Sequence, residues 1–323
     1  MTSLLPTFFI SHGGGPWPWM DGMLDGPYAG LAQSLRRLPE DAGGAPRAIL
    51  MVSAHWEAPA FTVQSHPRPP MIYDYYGFPE HTYHVEYPAP GDPGLALEVE
   101  NLIRAAGLPV ACDAERGYDH GVYSPMVVAY PDARMPIVQL SLMTGLEPQI
   151  HVALGRVLAP LRRAGVLIIG SGLSYHNLRA FGPQARESSS AFDAWLCEAM
   201  ALPAQARTQA LLDWESAPYA RQVHPREEHL LPLMVAVGAA EHEPAALSYH
   251  ETGFRGGVTV SSFRFGPRLL HEARCRTLTC LYQAPVGEAA RLAATGKISF
   301  FVRRVPFSRR LRRFKYWLDG MGQ

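Results

Sequence analysis

Cysteine is scarce in this chain. Four residues among 323, Cys112, Cys197, Cys275 and Cys280, form no C-x-x-C pair. That argues against a disulfide framework and against a thiolate zinc knuckle. Long apolar runs are missing too: no stretch reaches the ~18 residues of a membrane-spanning helix. No N-terminal segment combines basic residues, an apolar core and a small-residue cleavage site, so a cytoplasmic protein without a membrane span is expected. Net charge is absent, with 29 Lys+Arg against 29 Asp+Glu, which gives no overall pull towards nucleic acid. There is no internal repeat and no compact H-E-x-x-H motif.

The zero balance conceals an asymmetry. Residues 267–323 hold 12 basic and 3 acidic residues, a net +9, leaving −9 for residues 1–266. Two parts are therefore expected: a catalytic domain over 1–266 and a basic C-terminal extension over 267–323 of unassigned role. Charge runs of this kind are more often solvated or partner-packed tails than nucleic-acid contacts. The 47% hydrophobic and 18% charged content suits a globular domain.

One design recurs within 1–266. The apolar run Thr7-Phe8-Phe9-Ile10 ends in Ser11-His12 and then Gly13-Gly14-Gly15-Pro16. Residues 48–52 run into Ser53-Ala54-His55, and residues 166–169 into Gly170-Ser171-Gly172 and on to His176. Short apolar runs bounded by glycine read as buried strands. Ligands of open α/β sheets bind at strand C-terminal ends, so one site there is expected. Further strands are read at 61–64, 136–141 and 257–265. Helices are read at 28–38, 92–106, 149–164, 188–200, 204–214 and 229–238. Their alternation predicts a single α/β domain, with a partly parallel mixed sheet flanked by helices and a metal site at the strand C-terminal ends. Residues 66–93 carry seven prolines among six Tyr and Phe rings. That excludes a regular helix and suggests a cover over a flat substrate.

Five of the 13 histidines sit at strand ends, glycine-flanked turns or the start of a helix: His12, His55, His120, His176 and His229. Neutral imidazole suits iron and zinc. In the segment 224–233, either His229 or a neighbouring carboxylate, Glu227 or Glu228, completes a facial triad; spacing leaves that choice open. His81 and His84 read as surface residues. Ser171 and Asn177 are candidates for orienting the site's imidazoles.

Six motifs in order, Ser11-His12-Gly13-Gly14-Gly15-Pro16, Ser53-Ala54-His55-Trp56-Glu57, Tyr73-Asp74-Tyr75-Tyr76-Gly77-Phe78-Pro79, Asp119-His120-Gly121, Gly170-Ser171-Gly172 with His176-Asn177-Leu178, and His224-Pro225 with His229-Leu230-Leu231-Pro232-Leu233, resemble the DODA-type (DOPA 4,5-dioxygenase-like) class III extradiol ring-cleavage dioxygenases. The resemblance covers roughly 5–266 and none of the tail. It implies an Fe(II)-dependent oxidoreductase of aromatic-compound catabolism that opens a catecholic ring with O2. His12, His55 and His229 are the implied metal ligands. His176 is the implied acid/base, recorded as a further ligand in some Zn(II)-loaded members. His120 and Tyr75 are the implied substrate contacts. Competing expectations are a zinc-dependent hydrolase and a non-catalytic metal-binding relative. Association into a homo-oligomer is left open.

Overall fold

The computed structural model describes residues 4–267. In chain order the strands are β1 Thr7–Ser11, β2 Ala48–Ala58, β3 Phe61–Gln64, β4 Val110–Asp113, β5 Ile137–Met143, β6 Val166–Gly172, β7 Ala245–Phe254 and β8 Val258–Phe265. The helices are α1 Ala29–Asp41, α2 Pro93–Ala105, α3 His120–Ala129, α4 Pro148–Leu158, α5 Arg186–Ala201, α6 Ala204–Leu212, α7 Ala220–Val223 and α8 Leu231–Ala239.

The described strands form one sheet in the order β4-β3-β5-β2-β6-β1-β8-β7. Its centre is parallel, with β6 between β1 and β2, and β2 also parallel to β5. β8 runs antiparallel to β1, and β7 antiparallel to β8. The central strands are buried along their apolar runs, as a sheet covered on both faces requires. The expected single α/β domain with a mixed sheet is therefore present. The extension over 267–323 falls, apart from Pro267, outside the described residues.

Three differences from the sequence reading have physical causes. The edge strands β4 and β7 were not anticipated. Residues of β4 are exposed or half-buried, and β7 is largely so with two register shifts, so neither shows an apolar alternation. Helix α3 starts inside the glycine-flanked turn expected at 117–121, and Gly121 and Pro125 leave no helical pattern beyond it. It forms because nine of its ten residues are buried, and tertiary packing overrides propensity there. Strand β2 continues past Ser53 to Ala58, so His55 lies within it. Between 66 and 93 the only helical element is the short 3-10 turn Glu80–His84, before α2 opens at Pro93 under an Asp92 cap.

Candidate metal centre

β1, β2 and β6 are adjacent and parallel, so their C-terminal ends meet at one place. His12 follows β1 directly, and its N–H donates to the Gly172 carbonyl of β6 at 3.2 Å. Gly13 then adopts φ +83°, and a Cβ on it would lie 2.4 Å from the Trp17 indole nitrogen. That indole donates back to the His12 carbonyl at 2.8 Å. The glycine thus makes a turn that no other residue fits, and the buried Trp17 locks it.

His55 is delivered by an irregularity. Val52 pairs with Leu140 of β5, but the next pair is Glu57 with Leu142, so residues 53–56 bulge out of that ladder. Bulges re-aim side chains, and this one turns His55 into the site. His229 precedes α8 and is held just past the end of β6, where Leu173 N–H donates to its carbonyl at 3.1 Å.

The three imidazoles converge. His55 Nε2 lies 3.1 Å from His12 Nε2 and 3.3 Å from His229 Nε2. Each ring's Nδ1 faces a different group. His229 Nδ1 is 2.9 Å from Glu228 Oε1, and His55 Nδ1 is 3.6 Å from Asp74 Oδ2. His12 Nδ1 is 3.0 Å from Ser171 Oγ.

The Ser171 contact originates in a proline. Pro125 has no N–H, so the Gly121 carbonyl, four residues earlier in α3, loses its helical donor. The Ser171 hydroxyl donates to that carbonyl at 2.5 Å. Its one hydrogen is then committed, so at His12 it accepts, and His12 carries its proton on Nδ1. The His12 Nε2 lone pair is left facing the site.

Burial, followed by the neighbouring histidines, holds His12 well below the ordinary imidazole pKa, and the same holds for His229. Burial and His120 do the same to His55, against the opposing Asp74 charge. Three neutral rings, two buried and one half-buried, aiming nitrogens at each other is unfavourable unless a cation lies between them. An ion about 2.0–2.1 Å from each nitrogen would set neighbouring nitrogens about 2.9–3.4 Å apart. The observed spacings fit.

Two further imidazoles flank the three. His176 stacks on His229, with centroids 3.3 Å apart and planes 16° from parallel. Its Nδ1 is 2.9 Å from Glu228 Oε1. His120 lies 3.9 Å from the His55 ring, and Asp74 Oδ1 accepts from its backbone N–H at 3.0 Å and meets its Nδ1 at 2.8 Å. Donor atoms of His12, His55 and His120 fall within 4.8 Å of one another, as do those of His176, Glu228 and His229. Tyr75 sits edge-on to His120 at 6.0 Å, its hydroxyl bound to the Thr82 carbonyl.

All five sequence-predicted histidines are therefore in one place. Ser171 touches His12 as anticipated, whereas Asn177 instead ties its loop to the Gln222 carbonyl. His81 and His84 are exposed. Glu228 stands behind two imidazoles, and Glu227 pairs with Arg221. Asp74 was missed. It lies in a quoted motif, but nothing local shows that an aspartate on a proline-rich loop folds onto two distant histidines. No helix among the described residues is long and apolar enough to cross a membrane.

Comparison with known proteins agrees with this geometry. Residues 6–265 match the LigB family, described as the catalytic LigB subunit of aromatic ring-opening dioxygenase. The chain is 37% identical over 283 residues to dioxygenase tasH of Hapsidospora irregularis, covering 81% of this chain and 86% of that protein. It is 36% identical over 264 residues to 4,5-DOPA dioxygenase extradiol of Beta vulgaris (80% and 96% covered). Against the protein of the same description from Escherichia coli (strain K12) it is 32% identical over 267 residues (81% and 95%). The crystal structure of uncharacterized protein JW3007 from Escherichia coli K12 superposes with a TM-score of 0.66 at 28% identity, covering 81% of this chain and all of that one. The chain belongs to the LigB family of ring-opening dioxygenases and, within it, to the DOPA-type class III extradiol enzymes.

Proposed function

We propose that the protein opens a catecholic ring with O2, using one Fe(II) held by His12, His55 and His229. The observation that carries this reading is the convergence of three Nε2 atoms, each on a ring whose Nδ1 faces a separate oxygen. Bound there, iron supplies sites for both catechol oxygens and O2 and the redox chemistry that joins them. The histidines alone bring three neutral donors, which leaves room for an anionic catecholate.

His176 is the acid/base. Its Nδ1 is engaged by Glu228, so Nε2 is the atom that takes a hydroxyl proton and returns it. Stacking on His229 supports this role by holding the His176 ring against one of the three proposed ligands. His120, braced by Asp74, faces the substrate from the other flank, and the Tyr75 ring forms the wall next to it. Holding both reactants at one centre makes their meeting effectively intramolecular. The product is a ring-opened semialdehyde carrying both oxygen atoms. DOPA or a related catechol is the substrate, by likeness to the relatives named above. The reaction runs in the cytoplasm and involves no nucleic acid. One chain supplies all five histidines.

The test is reconstitution with Fe(II) and a catechol panel that includes DOPA, following O2 uptake and the yellow product. His12→Ala, His55→Ala and His229→Ala each abolish iron retention and uptake. His176→Ala keeps the iron and lowers kcat by about 10²–10⁴-fold, the usual weight of a general acid/base. Iron-loaded protein that consumes O2 with none of the catechols would overturn the proposal.

A further inference from the structure

Asp74 and Glu228 each face two histidines, one of the converging three and one flanking ring. Glu228 Oε1 meets both His176 Nδ1 and His229 Nδ1 at 2.9 Å. Its other oxygen is buried and has no hydrogen-bond partner among the described residues, with Arg226 Nη1 3.9 Å away. Asp74 Oδ1 meets His120 Nδ1 at 2.8 Å, and Oδ2 lies 3.6 Å from His55 Nδ1. Both side chains are largely shielded, at 20% exposure for Asp74 and 13% for Glu228. The pairing repeats: one carboxylate, one ring of the converging three, one flanking ring.

We propose that Asp74 and Glu228 are positioning residues that fix three of these imidazoles, His120, His176 and His229, in the Nδ1–H tautomer, with their Nε2 lone pairs turned into the site. An ionised carboxylate only accepts hydrogen bonds, so a nitrogen 2.8–2.9 Å from it carries the hydrogen. A neutral imidazole has one N–H, so Nε2 is then bare. On His229 that lone pair serves the metal. On His120 and His176 it gives a bound catechol one hydrogen-bond acceptor on each flank, one for each hydroxyl. This last consequence rests on the proposed function, whereas the tautomer assignment does not. Asp74 also makes the proline- and tyrosine-rich loop part of the centre, since that loop alone brings the second carboxylate.

The experiment is a long-range ¹H–¹⁵N correlation spectrum of the metal-free full chain labelled at histidine, with zinc affinity measured alongside. His120, His176 and His229 are expected as Nδ1–H tautomers. Glu228→Leu changes the His176 and His229 patterns, leaves His120 unchanged, and weakens Zn(II) binding about 10–100-fold. Glu228→Gln, which keeps one accepting oxygen, recovers most of that affinity. Asp74→Asn acts on His120 and leaves His176 unchanged. Nε2–H tautomers at His120 and His176 in the wild-type spectrum would overturn the proposal, whether or not the Leu variant folds. So would wild-type zinc affinity in folded Glu228→Leu. Neither readout involves O2 or catechol, so failure here is distinct from failure of the dioxygenase reading.

Discussion

A single hydroxyl shows how finely the centre is built. Ser171 donates to the carbonyl that Pro125 leaves open and thereby accepts from His12. Ser171→Ala removes both bonds and leaves the Gly121 carbonyl unpaired in a buried place. A loss of about 1–3 kcal/mol is expected in denaturant unfolding of the metal-free protein. Metal affinity by equilibrium dialysis should fall about 10-fold or more, because the His12 ring loses its fixed tautomer. At this scale the sequence was partly legible. The five histidines stood out because each follows an apolar run or a glycine turn, or precedes an apolar helix. The groups behind them did not, because contacts such as Asp74 to His120 span 46 residues and leave no periodic trace. The choice at 224–233 needed coordinates for the same reason. Glu228 and His229 are neighbours in sequence, and only direction separates them: the His229 Nε2 points to His55, while Glu228 points to Nδ1 atoms.

Among the elements, the close contact of β6 with the segment leading into α8 sets where His229 stands. A Cβ on Gly172 would lie 2.2 Å from the His229 carbonyl oxygen. Gly172→Ala must push that segment away, at about 1–3 kcal/mol. The expected signature is a lower unfolding midpoint together with weakened metal binding, since the displaced residue is one of the converging three. A midpoint shift with unchanged metal affinity would show that the segment relaxes without moving His229. On the other side, Arg226 forks onto Glu57 with both contacts at 2.5 Å, joining the His229 segment to the end of β2. Arg226 is 55% exposed, so Arg226→Ala should cost no more than about 1 kcal/mol. The buried central strands were readable because their apolar runs are unbroken. The edge strands β4 and β7 were not, because an edge strand half in water carries little pattern.

Over the whole molecule, buried neutral histidines tie stability to pH. His151 is held down to about 4 and His224 to about 3, in both cases chiefly by burial. Unfolding releases them to about 6.5, so below that pH the unfolded chain binds more protons than the folded one. Their contribution is complete above about 6.5 and is lost progressively as pH falls towards those lower values. Each contributes a slope of about 1.4 kcal/mol per pH unit well inside that window. Denaturant midpoints of the metal-free protein should therefore hold from pH 7.5 to about 6.5 and fall from there to pH 5. His151→Gln should flatten the curve by one histidine's share. The measurement that bears most directly on the central claim is the ratio of O2 consumed to catechol consumed by the Fe(II)-loaded protein, with an anaerobic control. A ratio of one, no turnover without O2, and loss of both in His229→Ala are expected. Turnover that proceeds equally well without O2 would contradict ring opening and identify hydrolytic chemistry at the same three histidines.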